Sequence, residues 1–317
     1  MIRLARTRFV AVTGDDWYQR RRNDEQGRWW RAVARQGPRK GEGGRTQQGI
    51  YFFTADGKLL AFRNSQDAGV MLQELKKALR EWDKLPAERR RPGAVKVEDG
   101  GKLDPRYTRS LPNGGLVVNV FTRILDREGV GYCKGTCRHS GGDLAARDHL
   151  WLTEADWKSL IPADPKQGTT FAVPARVRER ILRFHLIDNT RGEPPFWTRE
   201  QVRRQKMTLT VEEVMPTRLR LRLDGEALLA TSADPKEAKR GMNARLLGHV
   251  EYDRKKKALT RFDVVALGEH WGDSPLTRGA RPGRTPLGVA FELARGDQPA
   301  DRVPPQAARS LAEYLGR

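Results

Sequence analysis

The stretch GYCKGTCRHSGGD holds the densest set of chemically able side chains in the chain: Cys133, Cys137 and His139, followed by Asp143, Asp148 and His149. Thiolate and imidazole are the ligands that soft and borderline metals take, so a Cys-x3-Cys with a nearby His can chelate Cu or Zn. A structural Zn needs a fourth ligand, and His149 is the nearest remaining imidazole. Cys133, Cys137, His139 and His149 are therefore the candidate metal set. The same thiols suit redox chemistry. They close a small disulfide if their Cα atoms fall near about 5.5 Å, and Lys134, Arg138 and His139 would lower a thiol pKa and make it reactive. Cys133 and Cys137 are accordingly the candidate catalytic thiols. Two reduced, partly buried and inert cysteines are the third reading of the same residues.

Other constellations are weaker. His185, His249 and His270 are scattered, and spacing alone assembles no Ser/His/Asp nucleophile. No Gly-x-Ser-x-Gly elbow, no GxxxxGK[ST] and no GxGxxG occurs, which argues against an α/β-hydrolase site and against nucleotide binding. Asp15-Asp16 reads as a turn and helix-start device. RRRNDEQGRWWR mixes Arg with aromatics as single-strand binders do, but Trp29 and Trp30 also fit the buried face of a helix.

The chain has 317 residues, a net charge of +20, 38% hydrophobic residues and only two cysteines. That length favours two domains, and two cysteines exclude a disulfide framework. The charge excess favours phosphates or acidic surfaces as partners, nucleic acid among them, although most basic residues alternate with Asp or Glu. No apolar run reaches the roughly 18 residues of a membrane span. MIRLAR lacks the apolar stretch of a signal peptide, so the chain as written is expected in the cytoplasm, and in a secreted or periplasmic location if the true start lies upstream of Met1.

The elements that must position these residues fall into two parts. Phe9–Val12 reads as a strand buried on both faces. A helix follows over about 24–36. GPRKGEGGRTQQ is a Gly-rich loop. GIYFFTADGKLLAFRN is a hairpin around Asp56-Gly57, and 66–83 is a helix with Ser65 as N-cap and Val70, Leu72, Leu75, Leu79 and Trp82 inward. This order, over about 85 residues, resembles the second half of a thioredoxin-like fold, with MIRLARTR as the end of the preceding helix. The family's Cys-x-x-Cys and the cis-proline before its hairpin are absent, the place of the latter being held by Gln47-Gln48-Gly49. The resemblance implies an accessory redox-family module without thiol–disulfide exchange, its sheet completed by another segment or a partner protein. Copper-delivery proteins place their Cys-x3-Cys inside such a fold; here it lies beyond the segment.

Residues 85–105 have linker composition, between a module over 1–84 and a domain over 106–317. The second part reads as α+β with an antiparallel meander. Its strands include GLVVNVFTRIL, KMTLTVEEV, RLRLRLDG, EALLAT, ARLLGHVEYD, ALTRFDVVALG and PLGVAFELA. Its helices are 153–161 capped by Thr153, one begun by Pro174, and one over about 304–315. RLRLRLDG alternates strictly, with Arg expected outward and Leu inward. The expected function is a non-catalytic binding protein whose β-rich domain takes an unspecified ligand, with a Cu/Zn or thiol-redox site and charge-driven nucleic-acid binding as alternatives.

Overall fold

The structure, a computed structural model, describes residues 1–38, 48–65, 67–96, 101–126 and 145–316. The chain is α+β and divides into two compact units, Met1–Arg109 and Ser110–Arg317. Most of the Gly-rich loop and the segment carrying Cys133, Cys137, His139 and Asp143 lie outside the described residues. No described helix is long and apolar enough to cross a membrane.

The first unit contains α1 (Ile2–Arg8), α2 (Asp16–Gln19), α3 (Glu25–Arg35), the hairpin β1 (Ile50–Phe53) and β2 (Leu59–Arg63), then α4 (Ala68–Asp83) and α5 (Ala87–Arg90). Strand alternation sorts the hairpin's side chains to two helices. Phe52 and Ala61 join Met71, Leu75 and Ala78 of α4 in one cluster. Tyr51 and Phe53 meet Trp30 and Trp29 of α3, with ring centroids 4.8 and 5.1 Å apart. The helix expected at 66–83 begins two residues later, at Ala68. Asp67, not Ser65, is its N-cap, accepting from the Val70 N–H, while Ser65 Oγ accepts from Asp67 N–H. Its buried residues are Met71, Leu75 and Ala78, and of the expected set Val70, Leu72, Leu79 and Trp82 are half-buried.

The expected strand at Phe9–Val12 is not formed. These residues carry no regular structure and join no strand ladder, with Val10 91% and Val12 78% exposed. A strand buried on both faces needs a ladder along both edges, and the only sheet of this unit, among the described residues, is the hairpin. Phe9 instead ends α1 and sets its ring edge-on to Phe52 at 5.7 Å. The vacancy expected beside that strand disappears with it. The elements that follow in this unit come in the order α3, β1, β2, α4.

The segment expected as a linker also returns to the first unit. Asp24, the N-cap of α3, accepts from Arg22 Nε at 2.8 Å and from the N–H groups of Gly27 (3.0 Å) and Asp104 (2.7 Å). Asp104 in turn accepts from Asn23 N–H at 3.1 Å. Burial alone would push the Asp24 carboxyl up, but Arg22 and the two N–H groups outweigh it and hold the pKa down at about 2, from 3.8. The carboxylate thus contributes stability above pH 3.8 that is lost as pH falls through about 2. Asp24→Asn should cost the first unit about 1–2 kcal/mol near neutral pH. The difference from the parent should vanish between pH 4 and pH 2, as read by thermal unfolding at each pH. A pH-independent difference would show that the charge contributes nothing.

The second unit is an eight-stranded antiparallel sheet in the order β4-β3-β10-β9-β8-β7-β6-β5. Its strands are β3 (Leu116–Ile124), β4 (Ala146–Leu152), β5 (Thr170–Ala172), β6 (Val202–Val214), β7 (Arg218–Ala230), β8 (Gly241–Asp253), β9 (Ala258–Trp271) and β10 (Thr285–Leu293). RLRLRLDG and EALLAT are one strand. It runs through Gly225, where a Cβ would meet Met207 Cγ at 2.9 Å. The inward residues Leu219, Leu221, Leu223, Leu246, Val250, Phe262 and Val264 form a continuous apolar face. It is covered by the segment from α6 (Glu154–Lys158) through α7 (Ala175–Arg180), whose last turn continues as a π-helix to His185, and on to Trp197. Thr153 and Asp156 close a capping box on α6, as the spacing predicts. The outward Arg residues of β6–β9 are interleaved with carboxylates: Arg218 with Glu213, Arg220 with Glu212, Arg222 with Asp224 and Arg261 with Asp263. Such exposed pairs add little stability, but they neutralise this face.

Candidate functional site

The long strands end together at a polar rim built by the β7–β8 turn (residues 231–240) and the β9–β10 loop (272–284). Gly272 lets the chain leave β9. It has φ +86°, and a Cβ there would fall on the Lys239 carbonyl oxygen. Gly283, at φ +73°, turns the loop back into β10. Between these two crossings lies a basin of about 520 Å³ whose lining includes Lys236, Ala238, Trp271, Asp273, Arg281 and Arg284.

Its cations are held by different means. The Arg284 guanidinium lies 4.1 Å from the centre of the Trp271 ring. Trp271 is itself fixed by its Nε1–H donating to Ala238 O at 2.9 Å. Arg281 donates from Nη1 to Leu125 O at 2.8 Å and from Nη2 to Pro286 O at 2.9 Å. Lys236 is exposed at the β7–β8 turn. Asp273 is the one carboxylate among the described lining residues, and its charge is engaged elsewhere. The Ala280 N–H (2.7 Å) and Arg191 Nη1 (2.9 Å) donate to it and keep its pKa below the usual range. Arg284 also pairs with Glu269 at 3.9 Å, and the basin presents the remaining positive charge of Lys236 and Arg281 against an apolar wall of Trp271, Ala238 and Pro235.

Arg191 anchors this loop. Its side chain is only 2% exposed and donates to Asp188 Oδ2 (2.7 Å), Asp273 Oδ1 (2.9 Å), Gly272 O (3.1 Å) and Thr277 O (2.6 Å). Burial would raise the Asp188 pKa, but neighbouring His270 and Arg191 bring it below the ordinary carboxylate value. Burial, which outweighs the pull of the Asp188 carboxylate, lowers the His270 pKa to about 4. Arg240 sits beneath the rim, 4.0 Å from the Trp197 ring and donating to Pro195 O at 2.9 Å. Burial lowers its pKa to about 10.

A second polar network is closed to solvent. His185 Nε2 lies 3.3 Å from Tyr314 Oη, and His185 Nδ1 lies 3.6 Å from Asp148 Oδ2. Trp151 N–H donates to Tyr314 Oη at 3.0 Å. Arg180 donates to Asp156 and to Trp151 O, each at 2.7 Å, and to Tyr314 O at 3.0 Å. Burial pushes Asp148 up to about 6 and His185 down to about 3, so a neutral imidazole beside a carboxyl suits this interior. The network locks α8 (Leu311–Leu315) to β4 and the π-turn.

Of the residues expected to do chemistry, Cys133, Cys137 and His139 lie outside the described residues, and His149 lies within them. His149 stands on β4, 4% exposed, facing away from the main core beside Arg147. Burial first, and Arg147 second, hold its pKa below normal, and it is hydrogen-bonded to the Val303 backbone. Its Nε2 has no partner. Among the described residues no three His, Cys, Asp or Glu side chains are grouped to hold a metal ion. His249 pairs with Glu212 at 3.4 Å on the outer face of the sheet. The basin residues escaped the sequence reading. The available signal was WGDSPLTRGARPGR, in which Arg278, Arg281 and Arg284 recur every third residue between glycines and prolines.

Compared with protein-family models, with curated proteins and with solved structures, the chain matches none.

Removal of the Arg191 guanidinium strands Asp188 in the interior. Arg191→Ala should lower the stability of the second unit by about 3–5 kcal/mol, and Arg191→Lys by less, as read from urea midpoints. Equal losses in both variants would show that the forked geometry is unimportant.

Proposed function

We propose that the β-rich unit is a binding module for a small organic anion, bearing a phosphate or carboxylate on an apolar body, and that the basin at the β9–β10 loop is its site. The supporting observation is the convergence of Lys236, Arg281 and Arg284 on one cavity whose single described carboxylate is already engaged. A guanidinium is planar and donates in pairs, which matches phosphate and carboxylate oxygens. Arg284 is held over Trp271 by cation–π attraction, so little side-chain freedom is lost on binding. The apolar wall accepts the remainder of the ligand. This gives chemical content to the ligand that the sequence left unspecified.

The test uses the full chain with phenyl phosphate, benzoate and phenol as probes. The two anions should raise the thermal midpoint and phenol should not. Arg284→Ala and Lys236→Ala should each weaken binding by about 10–100-fold, the loss expected for one charge-assisted contact. No shift with either anion at millimolar concentration, or binding unaffected by both variants, would overturn the assignment.

A second reading is favoured by His149. Its bond to Val303 and its lowered pKa leave a neutral imidazole whose Nε2 lone pair is unclaimed, the form in which histidine ligates a metal. Cys133, Cys137 and His139 lie in the connection from β3 to β4, on whose fourth residue His149 stands. These four would hold a Cu or Zn ion, and the two thiols would otherwise serve redox exchange. Purified protein should then contain about one equivalent of metal. Cys133→Ser and His149→Gln should each lose most of it, by elemental analysis. Metal-free protein after purification and after Zn addition removes the metal reading.

A further inference from the structure

The outer face of the eight-stranded sheet takes no part in the basin, and its polar alternation lapses at one level. Along β8 the outward residues change from Arg245 to Leu247 to His249, and along β9 from Asp263 to Val265 and Leu267. The register sets Leu247 beside Val265, Val265 beside Ala290 of β10, and Ala290 beside Phe121 of β3. Four neighbouring strands thus carry one apolar row, with Leu267 on the adjoining level. Leu247 is 55%, Val265 53% and Leu267 48% exposed, while Ala290 and Phe121 are half-buried. The solvated face of an antiparallel sheet ordinarily turns polar residues outward. A contiguous apolar row across it marks a contact surface.

Two charges of opposite sign stand at diagonal corners about Val265. Arg245 is one strand to one side and two residues along the ladder in one direction, beside Leu267. Glu292 is one strand to the other side and two residues along in the opposite direction, past Ala290. Both are exposed, and among the described residues neither has a hydrogen-bond or ion-pair partner. Glu226, opposite Arg245 on β7, pairs with Arg204 at 4.0 Å. Asn119, opposite Glu292 on β3, accepts from Arg147 at 2.8 Å. Two other nearby carboxylates are matched on the face itself, Asp263 by Arg261 and Asp224 by Arg222.

We propose that this face pairs two copies of the chain across the row Leu247, Val265, Ala290 and Phe121. An isologous contact requires a surface that complements itself, and the corner charges make this one so. A two-fold axis lying in the interface, through Val265 and at right angles to the Arg245–Glu292 diagonal, sets each Arg245 over Glu292 of the second copy. The same rotation places Val265 on Val265 and Leu267 over Ala290. The apolar residues form the dry centre of the contact and the two ion pairs fix its orientation. A small ligand needs a concave site, which a row on a sheet face does not offer. An anionic membrane surface would repel Glu292 and its neighbouring carboxylates. A second copy supplies both an apolar row and the opposite charge at each corner.

The test is sedimentation velocity of the full chain at low salt, from about 1 to about 200 μM, where screening of the ion pairs is least. The mass should rise with concentration from that of the monomer toward twice that value. Val265 meets its own copy at the axis, so Val265→Lys should weaken dimerisation at least tenfold, by lost apolar burial and by two like charges brought together. Arg245→Glu and Glu292→Arg should each weaken it about 3–10-fold, and the double variant should return to within about twofold of the parent. Mixed in equal amounts, the two single variants should associate more tightly than either alone, because the mixed dimer restores opposite charge at both corners. All three sites are exposed, and far-UV circular dichroism checks that each variant is folded. A monomer over the whole range, dimerisation indifferent to Val265→Lys, or a double variant as weak as either single one would overturn the proposal.

Discussion

One constraint governs the larger unit: a wide antiparallel sheet has a single apolar face, and that face must be covered by chain poor in regular structure. The inward leucines, valines and Phe262 of β6–β9 would otherwise meet water, at a cost of about 25 cal/mol per Å² of apolar surface. The cover is a run of short helical turns between β4 and β6, with Trp157, Leu160, Val177, Ile181, Leu186 and Trp197 as its contacts. Short helices contribute little stability of their own. They stay in place through buried guanidiniums. Arg180 ties α7 to α6, β4 and α8, and Arg191 ties the end of the cover to the β9–β10 loop. A guanidinium with five donors can join several carbonyls and a carboxylate at once, which explains why arginine, and not lysine, occupies both places.

The basin follows from that same constraint. Strands of 13 and 14 residues overrun the cover and end beyond it. Their connections have only a small cluster of Ala230, Ala238 and Trp271 to pack on. Arg191 supplies the missing anchor, and glycine at 272 supplies the one backbone conformation that clears Lys239. The loop so held brings Arg281 and Arg284 to the side of Lys236. The binding proposed for this rim would thus be carried by loops on a rigid ladder, the usual division of labour in β proteins.

The two units use arginine differently. On the sheet's outer face, Arg alternates with Glu and Asp along and across strands, so the surface is charged yet close to neutral. In the first unit, Asp15, Asp24 and Asp67 cap helices, and Arg21, Arg106 and Arg109 lie over aromatic rings. Net charge alone cannot distinguish the two cases, because the distinction lies in where the acids point.

Local pattern in the sequence was sufficient for most elements. Period-two alternation in RLRLRLDG, the Asp56-Gly57 turn, the Thr153 cap and the helical stripe of α4 each encode their structure within a few residues, so α+β and the antiparallel meander were legible. Phe9–Val12 was misread because a short apolar run carries no information about whether a neighbouring strand exists; that is decided by hydrogen-bond partners far along the chain. Asp104 was read as linker for the same reason, since its partners at Asn23 and Asp24 stand some 80 positions away. The basin and the Arg191 anchor each join residues from separate loops. Sequence determined which side chains exist and their local conformation. Only tertiary structure decided which charges meet, because long-range pairing is set by packing and not by spacing.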